Sequence, residues 1–134
     1  MIVEDNRADV YLLQKALHKA EIDFHAIILE DGESALRYLD GELGREDNPA
    51  PDVAILDLNV PKRDGSEVIA HIKGTPQLRQ IPVIMLSSSP KLVMLKQAAQ
   101  ADCYIVKPNE LDEFLQIGEQ VRDCLDSIRA IAPM

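Results

Sequence analysis

The chain has 134 residues and a formal net charge of −9, with 46% hydrophobic and 28% charged residues. That length suits one domain, burying roughly two-thirds of the surface its unfolded chain exposes, so 1–134 is read as a single domain with no output domain. Clustered Lys and Arg, which nucleic acids and anionic membranes require, are missing, and no apolar stretch nears the roughly 18 residues of a membrane span, so a cytoplasmic location is expected.

Five strand-then-helix units are read in succession. Only Met1, Ile2 and Val3 precede Glu4 and Asp5, so either the first strand is unusually short or the start is truncated. Val10, Leu13, Ala16 and Leu17 recur at helical spacing and predict a helix over Asp9 to Ala20. Phe24 to Leu29 reads as the second strand, and Ala35, Leu36 and Leu39 mark a helix from Ser34 to Leu43. Gly44 to Pro51 is polar and rich in breakers, hence a loop. Val53 to Leu56 is the third strand, ending at Asp57. A turn-rich stretch follows, and Gly65 opens a helix that carries Val68, Ile69 and Ile72 and ends near Gly74.

Ile81 to Leu86 is the fourth strand and runs into Ser87, Ser88 and Ser89. Pro90 suits the first turn of a helix over Lys91 to Gln100, where its missing amide hydrogen costs nothing. Cys103 to Val106 is the fifth strand, leading to Lys107 and Pro108. Asn109 is placed as the cap of one helix from Glu110 to about Arg129. Cys103 and Cys124 show neither metal-ligand spacing nor a disulfide framework and are read as reduced, buried thiols.

Short, continuously apolar, β-branched strands are those covered on both faces, and their alternation with helices implies a parallel sheet between helical layers. In such a sheet all strands point one way, so residues just past their carboxyl ends gather in one crevice. Glu4 and Asp5, then Asp57, Ser87 and Lys107, occupy those positions on four strands. Taken singly, each is an ordinary cap, loop residue or solvated charge. Taken together, an acid cluster, a hydroxyl and an amine describe a site for a divalent cation and a phosphoryl group.

With Tyr104 and Pro108 added, these motifs give the chain a resemblance to the receiver domains of two-component response regulators. Within that family, the Gly44 to Pro51 loop, the wording of Pro61 to Gly65, and Cys103-Tyr104-Ile105 resemble stand-alone regulators that partner bacterial phytochromes. The resemblance implies a flavodoxin-like (CheY-like) three-layer α/β/α sandwich whose parallel sheet has the order 2-1-3-4-5. It also implies that Asp57 accepts a phosphoryl group from a sensor histidine kinase. Mg²⁺ would be held by Glu4, Asp5, Asp57 and the backbone carbonyl of Asn59, with Glu4 acting mainly through water. Lys107 and Ser87 would contact phosphoryl oxygens. Ser87 and Tyr104 would form the switch, and Asn59 and Ser89 would tune dephosphorylation.

Output is expected through a changed protein surface, with a homodimer across the Pro90 to Val106 face and the last helix as one form of it. His18, His25 and His71 share no spacing and are not assigned as phosphohistidines. Three alternatives are set beside this expectation. A Mg²⁺-dependent phosphohydrolase with Asp57 as nucleophile would need an acid where Asn59 stands. A flavodoxin-like electron carrier would need ring-stacking loops, and the chain has no tryptophan. A degenerate receiver serving only as a binding scaffold is disfavoured by the filled motif positions.

Overall fold

A computed structural model of the chain describes residues 1–41, 50–58, 62, 65–88 and 101–131. Its strands are β1 (Ile2–Val3), β2 (Ile28–Leu29), β3 (Ala54–Asp57), β4 (Val83–Ser87) and β5 (Cys103–Val106). Its helices are α1 (Arg7–Lys19), α2 (Gly32–Asp40), α3 (Gly65–Gly74), the single turn α4 (Leu111–Phe114) and α5 (Ile117–Ile131). The strands form one parallel sheet in the order β2-β1-β3-β4-β5. The expected fold class is thus the observed one.

Successive strand side chains point to opposite faces, and here each face has its own helices. Val3, Ala54, Leu56, Val83 and Met85 pack with Ala35 and Leu39 of α2 and with Val68, Ile69 and Ile72 of α3. Ile2, Ile55, Ile84, Leu86 and Ile105 pack with Leu13, Ala16 and Leu17 of α1 and with Ile117 and Val121 of α5. The central strands are therefore apolar on both faces, which is why they read as unbroken hydrophobic runs.

Four expectations need correction. Helix α1 starts earlier than read, because Asn6 is its cap, with Oδ1 accepting from the amides of Ala8 at 2.9 Å and Asp9 at 3.2 Å. Strand β2 spans two residues rather than six, since β1 offers only Ile2 and Val3 as ladder partners. The last helix is two pieces, and Glu110 rather than Asn109 stands at the cap position of the first. Phe114 and Ile117 are both buried on the α1/α5 side, and the amide of Gln116 donates to the Glu113 carbonyl at 3.1 Å. Such tight turns place residues three apart on one side.

The fourth correction concerns the cysteines, which form a disulfide from β5 to α5 across 21 residues of sequence, with Cα atoms 6.3 Å apart. The pairing is invisible locally because the helix returns to the strand only through the fold. Closing a loop of that size stabilises by about 3 kcal/mol in the chain-entropy account. A thiol reductant should therefore lower the melting temperature, and Cys124→Ser should match the reduced protein and be insensitive to reductant. Equal melting with and without reductant would show that the bond is not made in solution. The Gly44 to Pro51 loop lies mostly outside the described residues, and the helix predicted over Lys91 to Gln100 lies wholly outside them.

Candidate functional site

Register decides which side chains meet. In the ladder Val3 pairs with Leu56, Asp57 with Leu86, and Ser87 with Val106, so Glu4, Asp57, Ser87 and Lys107 all fall on the carboxyl rim of the sheet. Glu4, Asp57 and Ser87 are buried, while Asp5, one residue farther along, is exposed. The carboxylates of Glu4, Asp5 and Asp57 offer oxygens within 4.8 Å of one another. Gly65 closes the rim from below. A Cβ there would stand 2.7 Å from the Asp57 carbonyl oxygen and 2.9 Å from Leu58 Cα, so only glycine lets α3 begin this close to the third strand.

Lys107 is the hub. Its Nζ donates to Glu4 Oε2 at 2.5 Å, to Asp57 Oδ2 at 2.6 Å and to Asp9 Oδ2 at 3.0 Å, with its side chain only 9% exposed. An ammonium has three hydrogens, and here three carboxylates take them. Burial works against the charge, but Asp57, Glu4 and Asp9 outweigh it and raise the Lys107 pKa.

Glu4 bears the cost of the crowding. Burial first, and Asp57 beside it, push its pKa up to about 7, against the pull of Lys107 and of the Asn6 amide. The sign follows by linkage. Between the ordinary value near 4.5 and about 7, the native carboxyl holds a proton that the unfolded chain has released. Stability from this group is full below the lower value and is lost as pH rises through the upper one. In chelator, wild type should therefore lose melting temperature between pH 5 and 7.5 relative to Glu4→Gln, and added divalent cation should restore it. Parallel curves for the two proteins would rule out Glu4 as the source.

Comparison with known proteins identifies the family. The family model for the response regulator receiver domain matches residues 1–119. The chain belongs to the response regulator receiver family. Response regulator Rcp1 of Synechocystis sp. is 38% identical over 123 residues, covering 90% of this chain and 84% of Rcp1. The crystal structure of the phosphorylated cyanobacterial phytochrome response regulator RcpA superposes with a TM-score of 0.79 at 38% identity, covering 91% of this chain and 89% of that one. The bacteriophytochrome response regulator AtBRR gives 0.76 at 32% identity over 99% and 93% of the two chains.

Receiver-family response regulators are signalling proteins of two-component systems, and this chain shares their fold and its likeness to phytochrome-associated members. The acidic cluster of this receiver fits a divalent metal: an all-oxygen donor set, two of its acids buried and both bonded to the Lys107 ammonium. A form of Rcp1 with bound Mn²⁺ has been solved, at TM-score 0.78, 36% identity and coverage of 91% of this chain and 89% of that one.

Tyr104 is 46% exposed on β5, the outermost strand of the sheet. Asn59 and Ser89, expected as carbonyl ligand and tuning residues, lie outside the described residues. His18 packs against Phe24 and His71 sits 2.8 Å from Asp40, neither of them at the rim. Among the described residues no helix is long and apolar enough to cross a membrane. One site residue escaped the sequence reading, namely Asp9. Its spacing of four from Asp5 was the available signal, but an acid in a helix's first turn is so commonly a favourable terminal charge that it drew no notice.

Proposed function

We propose that this receiver accepts a phosphoryl group on Asp57 from a sensor histidine kinase, with Mg²⁺ held by Glu4, Asp5, Asp57 and the Asn59 carbonyl. The observation that carries the proposal is the Lys107 ammonium bonded to the Asp57 carboxylate beside the Glu4 and Asp5 oxygens. An Asp57 oxygen forms the new bond to phosphorus while the bond from phosphorus to the donor's histidine nitrogen breaks, leaving an acyl phosphate that water later hydrolyses to the carboxylate and phosphate. Transfer of this kind has a loose transition state, so positioning and charge outweigh nucleophilic push. When bound, Mg²⁺ supplies positive charge against the gathered anionic oxygens.

Lys107 neutralises a phosphoryl oxygen, and buried Ser87 offers a hydroxyl to another. The added charge draws the Ser87 loop inward and turns Tyr104 with it, changing the outer surface of β5. The similarity to Rcp1, RcpA and AtBRR supports a bacterial phytochrome as the kinase. A homodimer through the Pro90 to Val106 face and the last helix belongs to the same proposal.

Intact mass after incubation with a small phosphoryl donor tests it. The chain should gain one phosphoryl group in Mg²⁺ and none in chelator, and light scattering of the same samples should show a mass that rises with phosphorylation. No Mg²⁺-dependent gain would end the acceptor assignment, and a monomer mass at every concentration, with and without phosphorylation, would end the dimer.

A further inference from the structure

Building on the phosphoryl-acceptor proposal, we propose that Asp9 is a positioning residue for Lys107, the carboxylate that keeps the ammonium at the rim once Glu4 and Asp57 are drawn to other partners. Of the three acids that share Lys107 Nζ, two belong to the group of oxygens close enough to hold one cation, Glu4 and Asp57. Asp9 does not. A cation among those oxygens competes directly with Lys107 for two of its three acceptors. Only the bond to Asp9 Oδ2 at 3.0 Å is untouched by that competition.

The local structure frees Asp9 for this task. It is the third residue of α1, a position from which an acidic side chain commonly reaches back to the cap residue's own amide. Here that amide is already used, since Asn6 N–H donates to Glu4 Oε1 at 3.1 Å. The Asn6 side chain serves the amides of Ala8 and of Asp9 itself. Asp9 therefore spends its carboxylate on Lys107, 98 residues away in sequence. Its side chain is 25% exposed, against 2% for Glu4, and with Lys107 it lines a cleft of about 350 Å³ whose walls include Leu12, Ser88 and Phe114. Asp9 thus tethers the ammonium from the side of this cleft, outside the group of oxygens formed by Glu4, Asp5 and Asp57.

A mere terminal charge on α1 would behave differently. Its removal would cost a little helix stability and leave Lys107 as protected as before. The test reads protection directly, as the rate at which a small activated ester acylates Lys107, followed by peptide mass spectrometry on the full chain with and without saturating Mg²⁺. Wild type should stay slow in both conditions. Asp9→Asn should stay slow without the cation, where Glu4 and Asp57 still hold the ammonium. With Mg²⁺ it should acylate about tenfold faster, the equivalent of one charge-assisted hydrogen bond, and Asp9→Glu should return it to the slow rate.

Wild-type protection of Asp9→Asn in Mg²⁺, or an equal rise with and without the cation, overturns the proposal. No phosphoryl transfer enters the measurement, so a chain that fails to take up a phosphoryl group would defeat the functional reading by a separate result.

Discussion

Asp57→Asn protein should gain no phosphoryl group under conditions that modify wild type fully, and it should fold at least as well. The first half follows from chemistry: an amide oxygen carries no charge and forms no stable bond to phosphorus, and no neighbouring acid replaces it. Glu4 is held by Lys107 and by the Asn6 amide, and Asp5 is exposed. The second half follows from the crowding. Asp57 is one of the causes that push the Glu4 carboxyl upward, so removing its charge relieves repulsion within a buried, excessively acidic cluster. Lys107 keeps Glu4 and Asp9.

Intact mass and a melting curve on the same sample separate the two effects. A phosphoryl gain in the Asn variant would place the acceptor elsewhere. A sharp drop in melting temperature would show that the Lys107 bond to Asp57 outweighs the repulsion.

Gly118→Ala should destabilise the chain strongly, although alanine is ordinarily the better helix residue by about 1 kcal/mol. Helix α5 crosses α1 at this glycine. A Cβ there would run into the Ala16 carbonyl oxygen and carbon and stand 3.0 Å from Ala20 Cβ. Main-chain atoms cannot swing aside, so the helices must separate and loosen Leu17, Ile117 and Val121, all buried between them and the sheet. Overpacking of this kind costs about 2 kcal/mol or more, and the melting temperature should fall by several degrees.

Gly74→Ala is the control, because nothing lies within 4 Å of a Cβ built there at the end of α3. It should be neutral or mildly stabilising. Equal melting of the two variants would show that α1 and α5 do not approach this closely in solution.

Much of the fold was legible from local pattern. The central strands were legible because strands covered on both faces demand unbroken apolar runs, and Asp57 stood out because such a run stops abruptly at an acid. Errors fell where a local signal depends on a distant partner. Phe24 to Ile27 has strand composition, yet a strand exists only where another supplies its ladder, and β1 supplies two residues. The break between α4 and α5 answers to the joint burial of Phe114 and Ile117, a demand set by α1 and the sheet rather than by turn residues.

What the amino-acid order determined alone was the alternation of strands and helices and, through it, which residues stand at the strand ends: Glu4, Asp5, Asp57, Ser87 and Lys107. Periodicity is a property of neighbours, and neighbours suffice to show it. Only the tertiary structure decided how Lys107 divides its hydrogens among Glu4, Asp9 and Asp57, that Cys103 bonds Cys124, and that the Glu4 carboxyl is pushed up to about 7. Those are interactions across 21 to 103 residues of chain. Their strength depends on register, burial and the low dielectric of a closed rim, which come into being when the sheet assembles.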